Sequence, residues 1–242
     1  MSHDRNRRLF LKACARTALA SAALGASGAL RPALADVLED APRARLVDSQ
    51  GNPIRASELA PHQSLIFNYP YVATPAMLVR LQFETIENLL TTDMDGHEYT
   101  WPGGVGPKRD IVAYAAICAH ALSYVGHETA FLHYSKGPTA YSDHERVIIC
   151  CAHGSVYDPA AAARVVHGPA PAPLAAVTLE HDPATDEIWA TGVVGTEIYA
   201  RFYAAYKREL RKEYGRKAYR KMVSGDVIAL PPEQYSEDVL DC

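Results

Sequence analysis

Long apolar runs are missing from this 242-residue chain: no window holds eighteen strongly apolar residues, which excludes a polytopic membrane protein. Glycine (15) and proline (16) are moderate in number and scattered, so collagen-like, coiled-coil and wholly disordered chains are excluded as well. No repeat of fixed period occurs. Cysteine is sparse, with five residues, and the formal net charge is only −4. What remains is a chain 48% hydrophobic and 21% charged. It is long enough to bury a real core as one medium domain with elaborations.

The N-terminus reads as an address. Residues 5–12 are Arg-Asn-Arg-Arg-Leu-Phe-Leu-Lys, followed by an Ala/Leu/Gly/Ser-rich stretch to Leu30 and a small-x-small site at Ala33-Leu34-Ala35. A charged start, a weakly apolar middle and a cleavage site make residues 1–35 a secretory signal. The Arg7–Arg8 pair makes it a twin-arginine signal, which exports chains already folded. The competing reading is a basic amphipathic first helix, which Gly25 and Gly28 would weaken. Cleavage after Ala35 leaves 18 Lys/Arg against 27 Asp/Glu, a net of −9 that speaks against nucleic-acid binding. The expected location is the periplasm. Left uncleaved, the same segment would act as a membrane anchor, though its apolar part is short for a span.

Residues 36–62 are mixed and proline-punctuated, an N-terminal arm or edge segment. Short apolar runs bounded by turn residues then predict strands at 64–71, 76–83, 110–118, 146–151, 175–181 and 187–194, with a hairpin loop at 182–186. Residues 63–196 therefore form a small antiparallel all-β domain. Tyr199, Phe202, Tyr203, Tyr206, Leu210 and Tyr214 recur at helical spacing, which predicts a helix over 197–221 carrying nine Lys/Arg against three Glu. Either it is a solvated helix laying its tyrosine stripe on the sheet, or its basic face docks an acidic partner or lipid headgroups. Residues 229–242 read as an extended acidic tail, completing a 197–242 segment of basic helix and tail.

Cys14 falls within the signal; Cys118, Cys150, Cys151 and Cys242 remain, and in an oxidising compartment disulfide pairing is their default. Their neighbours point to metal. Ile117-Cys118-Ala119-His120 and Ile149-Cys150-Cys151-Ala152-His153-Gly154-Ser155 each place a Cys and a His directly after an apolar run, on the loop at a strand end. Two facing loops would present two thiolates and two imidazoles. Zinc takes such a Cys₂His₂ set; so does a [2Fe–2S] cluster with two Cys on one iron and two His on the other. A zinc site does not need the residues that follow His153. Gly154 allows close backbone approach, Ser155 can donate to a bridging sulfide, and Tyr157 can donate to a cysteine sulfur. A cysteine hydrolase built on Cys150 and His153 would leave the first loop unexplained.

Cys118-x-His120 followed by Cys150-x-x-His153-Gly-Ser155-x-Tyr157-Asp-Pro159, with Gly168-Pro-Ala-Pro-x-Pro-Leu174 downstream, resembles the Rieske iron–sulfur family. With the twin-arginine signal it most resembles the exported members, of the arsenite-oxidase small-subunit and quinol–cytochrome c reductase types. The resemblance implies a Rieske-type β-sandwich with a cluster-binding loop subdomain. It also implies one [2Fe–2S] cluster per chain, ligated by Cys118, His120, Cys150 and His153, with Ser155 and Tyr157 as hydrogen-bond donors. Gly168–Leu174 would be the proline loop covering the cluster. The implied activity is one-electron transfer, as a subunit or partner of a periplasmic or membrane-associated respiratory oxidoreductase rather than as a stand-alone enzyme. The partner would be a larger catalytic subunit, a cytochrome or a quinol-oxidising complex. The non-redox alternative is a zinc-stabilised Cys₂His₂ binding module.

Three departures from the family pattern stand out. The cysteines that tie the two loops together in exported members are Ser123 and Ala152 here, and Cys151 either pairs with Cys242 or stays a free thiol. The loops are separated by residues 121–149, about twice the usual distance, and the extra length holds His127, His133 and His144, expected to be solvated. The helix and tail after residue 196 have no counterpart in the small Rieske fold.

Overall fold

A computed structural model describes residues 41–242. The expected signal segment lies outside the described residues. In chain order the first elements are β1 (Ala44–Val47), β2 (Ser64–Asn68), β3 (Pro75–Arg80), β4 (Leu89–Thr92), β5 (Glu98–Trp101) and β6 (Ile111–Ala115). The middle of the chain adds β7 (Thr129–Ala130), β8 (Leu132–Ser135), β9 (Val147–Cys150), β10 (Ser155–Asp158) and β11 (Arg164–His167). Then follow β12 (Ala176–His181), β13 (Ile188–Val194), α1 (Glu197–Ala205), α2 (Lys207–Glu213), β14 (Gly225–Ile228), α3 (Pro232–Tyr235) and β15 (Asp238–Val239).

Seven strands form one sheet in the order β14-β1-β13-β12-β6-β3-β2. Its pairs are antiparallel except β1 with β14. The two edges meet where Ile66 and Leu230 exchange backbone hydrogen bonds of 2.7 and 2.9 Å, so the sheet nearly closes on itself. Period-two alternation sorts its side chains between two cores. Leu46, Leu65, Phe67, Leu78, Ala113 and Ile188 face one core, capped by Tyr199, Phe202 and Tyr203 of α1. Ile66, Met77, Val79, Val112 and Tyr114 face the other. There they meet Leu132, Tyr134, Ile148, Cys150 and Tyr157 from the second sheet, ordered β11-β10-β9-β8. The all-β expectation holds, and the smaller sheet is a subdomain layered on the larger one.

The six strands expected from the sequence are present with trimmed ends. Two outer segments are more integrated than their composition implied. In the described part of the 36–62 segment, β1 lies inside the sheet, between β13 and β14. The tail is not loose either, since β15 pairs in parallel with β7 and Cys242 is bonded to Cys151. The expected single helix over 197–221 is interrupted at Tyr206, whose φ of −108° and ψ of 18° leave the helical basin. It ends before Gly215, which has φ of +88°. The interruption seats the Tyr206 ring on Tyr124, with centroids 4.9 Å apart. The tyrosine stripe does lie on the core: Tyr199, Phe202, Tyr203 and Leu210 are buried.

Candidate metal centre

Two short loops at neighbouring strand ends carry the ligand candidates. The first follows β6, and an antiparallel bridge between Ile117 and Tyr124 closes its base. Within it the Cys118 N–H donates to Ser123 O (2.7 Å) and the Leu122 N–H returns to Cys118 O (3.0 Å). The second is the hairpin turn 151–154 between β9 and β10, flanked by the Cys150–Ser155 pair. Gly154 closes it by donating to Cys150 O (2.9 Å), at φ of +71°. A Cβ there would also sit 2.7 Å from the Tyr141 ring. Gly168, which opens the expected proline loop, is tighter still: its Cβ would lie 2.2 Å from Gly154 O. Only glycine lets that loop lie against the second turn.

The four candidates are sorted by depth. Cys118 and Cys150 are fully buried, whereas His120 and His153 are exposed, with ring centroids 4.9 Å apart at 83°. Thiolates inside and imidazoles outside form two pairs of donors with different access to solvent. Among the described residues, no three of these four bring ligand atoms within 4.8 Å of one another. A single tetrahedral zinc, with bonds of about 2.0–2.3 Å, requires a tighter set. A two-metal cluster bridged by sulfide spreads its ligands in this way.

The hydrogen bonds around the sulfurs fit a group that gains negative charge. Tyr157, wholly buried, places its hydroxyl 3.2 Å from Cys118 Sγ and accepts the Ala119 N–H at 3.2 Å. Because the phenol oxygen receives Ala119, its own proton is directed at the sulfur. Ser155 Oγ is buried with no hydrogen-bond partner, an orphan that a sulfide acceptor would satisfy. The Cys118 thiol is held down to about 5, chiefly by the Cys150 S–H and then by Tyr157 and the His120 N–H, against the opposing effect of burial. Cys150 is pushed up by that same hydrogen bond, by burial and by the charge on Cys118. Burial also pushes the Tyr157 phenol up, so it stays a donor.

The second loop is tied to the far end of the chain. Cys151 and Cys242 form a disulfide with Cα atoms 5.7 Å apart, which resolves the open choice for Cys151. The long segment between the loops participates: Ala140 N–H donates to Cys242 O and Cys151 N–H donates to Phe131 O. One of its three histidines, His133, departs from the solvated expectation; His127 stays exposed while its ring lies against Tyr235. His133 packs its Nδ1 3.6 Å from Cys151 Sγ, and burial lowers its pKa. His127 stacks on Tyr235, with centroids 4.5 Å apart, and bonds Tyr235 O at 3.0 Å. His144 is exposed, as expected. Neither the Ala119 N–H to Tyr157 link nor the seating of Tyr141 on Gly154 has a sequence signature.

Residues 87–178 match the family model of the Rieske [2Fe-2S] domain, a span that includes both loops and the proline segment. The matched segment, residues 87–178, is a Rieske [2Fe–2S] domain. A Rieske domain binds one [2Fe–2S] cluster and transfers electrons through it, and the zinc alternative is not favoured. A similar solved structure is the soluble domain of the Rieske protein II (soxF) from Sulfolobus acidocaldarius. It is 26% identical, covers 65% of this chain and 81% of that chain, and superposes with a TM-score of 0.45. None of the helices described is long and apolar enough to cross a membrane.

Proposed function

We propose that Cys118 and Cys150 hold one iron of the cluster and His120 and His153 hold the other. The protein then serves as the one-electron carrier of a larger oxidoreductase outside the cytoplasm. The cluster supplies the one-electron couple; the chain supplies access, hydrogen bonds and exclusion of water. The observation that carries the reading is the sorting of donors: two buried sulfurs beneath two exposed imidazoles that touch each other. Exposed imidazoles put the histidine-bound iron at the surface, where a donor or acceptor can approach. Buried sulfurs, with Tyr157 and the orphan Ser155 hydroxyl beside them, keep the other iron dry.

Export by the twin-arginine route to the periplasm belongs to the same proposal. Two features support it: the Arg7–Arg8 pair before the apolar stretch, and a disulfide between Cys151 and Cys242, which persists in an oxidising compartment. The respiratory setting and the larger partner are carried by the resemblance of the ligand motifs to exported Rieske subunits. Analysis of anaerobically purified full chain tests the centre. Iron and acid-labile sulfide should be present in equal amounts, and both should be lost, with the red-brown colour, in His120→Ala and Cys150→Ala. Zinc without sulfide would refute the reading.

A further inference from the structure

The basic segment after residue 196 is left unexplained by the cluster. Lys207, Arg208, Arg211, Lys212 and Arg216 line one surface recess of about 430 Å³ to which no acidic side chain contributes. None of the five forms an ion pair among the described residues. Of the acids on α2, Glu213 is turned to His127, 3.6 Å away. Lys207/Arg211 and Arg208/Lys212 are like-charged i,i+4 pairs, each unfavourable by a few tenths of a kcal/mol. Lys207 and Arg208 share the first turn with Glu209, while Arg211 and Lys212 sit in the last turn, where the helix dipole favours cations.

Its location and rigidity add to this. Tyr206, directly before the recess, packs on Tyr124, the residue that closes the base of the first cluster loop. Arg211 lies over the Tyr219 ring at 5.7 Å, so this cation is partly ordered before anything binds. The segment exposes no large apolar side chain; the exposed ones are Ile86, Leu90, Tyr141 and Ile228. A helix lying on a membrane surface presents Trp, Phe or Leu beside its cations, and this one turns Leu210 and its tyrosines into the core.

We propose that the recess is a docking surface for an acidic protein partner, held by charge complementarity next to the first cluster loop. Calling that partner the redox partner rests on the electron-transfer reading above. Opposite charges of this kind raise association rates and make them salt-dependent.

The probe is a fluorescein-labelled peptide of ten glutamates, followed by anisotropy against the full chain at low and at physiological salt. The wild type should bind at low salt and release as salt rises. Combined Lys207→Glu, Arg208→Glu, Arg211→Glu and Lys212→Glu should weaken binding by about tenfold or more, and the corresponding Gln variant by less. Lys108→Glu with Lys136→Glu, exposed cations elsewhere, should leave binding unchanged. Equal binding by wild type and both recess variants, or no binding by the wild type, would overturn the proposal. So would recess-dependent binding to phosphatidylglycerol vesicles that the peptide does not displace, which would assign the surface to lipid. Peptide binding requires no cluster, so its failure is separable from absence of iron and sulfide.

Discussion

Replacing Tyr157 by Phe removes one oxygen from the interior and two interactions with it. The hydroxyl accepts the buried Ala119 N–H and faces Cys118 Sγ, each at 3.2 Å. The two losses have separate readouts. Leaving the Ala119 donor unsatisfied costs about 1–3 kcal/mol of stability. Losing the donor to sulfur matters most when the centre carries its extra electron, because a hydrogen bond to a more negative acceptor is stronger. If about 1 kcal/mol of that bond is specific to the reduced state, the midpoint potential falls by about 40 mV for a one-electron couple. Ser155→Ala separates the two effects. Its hydroxyl is buried without a protein partner, so removal should leave stability unchanged or slightly higher while still lowering the potential. Protein-film voltammetry measures the first quantity and urea unfolding the second. Unchanged potentials in both variants, with iron content intact, would refute the hydrogen-bond reasoning.

Two further outcomes follow from the same geometry. Cys242→Ser opens a loop with a sequence separation of 91, for which chain entropy alone gives about 4–5 kcal/mol and engineered cases about 2–4. Unfolding free energies from urea titration of the variant and of reduced wild type should fall together by that amount, and equal values with and without reductant would show the bond to be idle. Asp186 is held down to about 2, first by the Ser57 hydroxyl and then by the Ser57 N–H and His181. Its depressed folded value means its contribution is full above the ordinary value of 3.8 and is lost as pH falls through about 2. Asp186→Asn should thus lower Tm by a few degrees or less at neutral pH, with the difference vanishing below about pH 2.

The parts of this molecule legible in its sequence are those where local pattern and tertiary use coincide. Strands β2, β3, β6 and β9 are apolar runs buried over most of both faces, and β12 and β13 carry such runs at one end, so composition alone marks them. Strand β8 reads Leu-His-Tyr-Ser, and β11 reads Arg-Val-Val-His with exposed ends; their pairing partners, not their own apolar content, make them strands. The hairpin of β4 and β5 was not among the expected strands, because Leu89–Thr92 is too exposed to show a core face. The four ligand candidates were legible because Cys and His at fixed spacing have few other uses. Helix α2 was overextended because cations favour helix in isolation, whereas Gly215 and the seating of Tyr206 on Tyr124 decide where it stops.

The absence of cysteine at positions 123 and 152 looks like the loss of a clamp, but the structure relocates the restraint. Cys151 lies inside the second turn, one residue from Cys150, and its bond to Cys242 brings the C-terminus against that turn. The terminus is itself fixed by three independent contacts. Strand β15 pairs with β7, Tyr235 OH donates to Asn68 Oδ1 at 2.8 Å, and Ser236 Oγ donates to Gly126 O at 2.7 Å. The long 121–149 segment and the tail are therefore two halves of one device. The segment supplies β7 and β8, the tail supplies β15 and Cys242, and together they brace the turn that carries Cys150 and His153. The first turn is braced from the other side by Tyr124 against Phe202 and Tyr206, with centroids 5.0 and 4.9 Å apart. Each of the two turns thus has its own support, drawn in part from the chain after residue 196. A direct bond between the loops would couple them mechanically; separate braces let one loop yield without the other. Reduction of the disulfide should accordingly loosen the Cys150 turn while leaving the Cys118 turn protected, a contrast that amide exchange at Cys151–Gly154 against Cys118–Ser123 resolves.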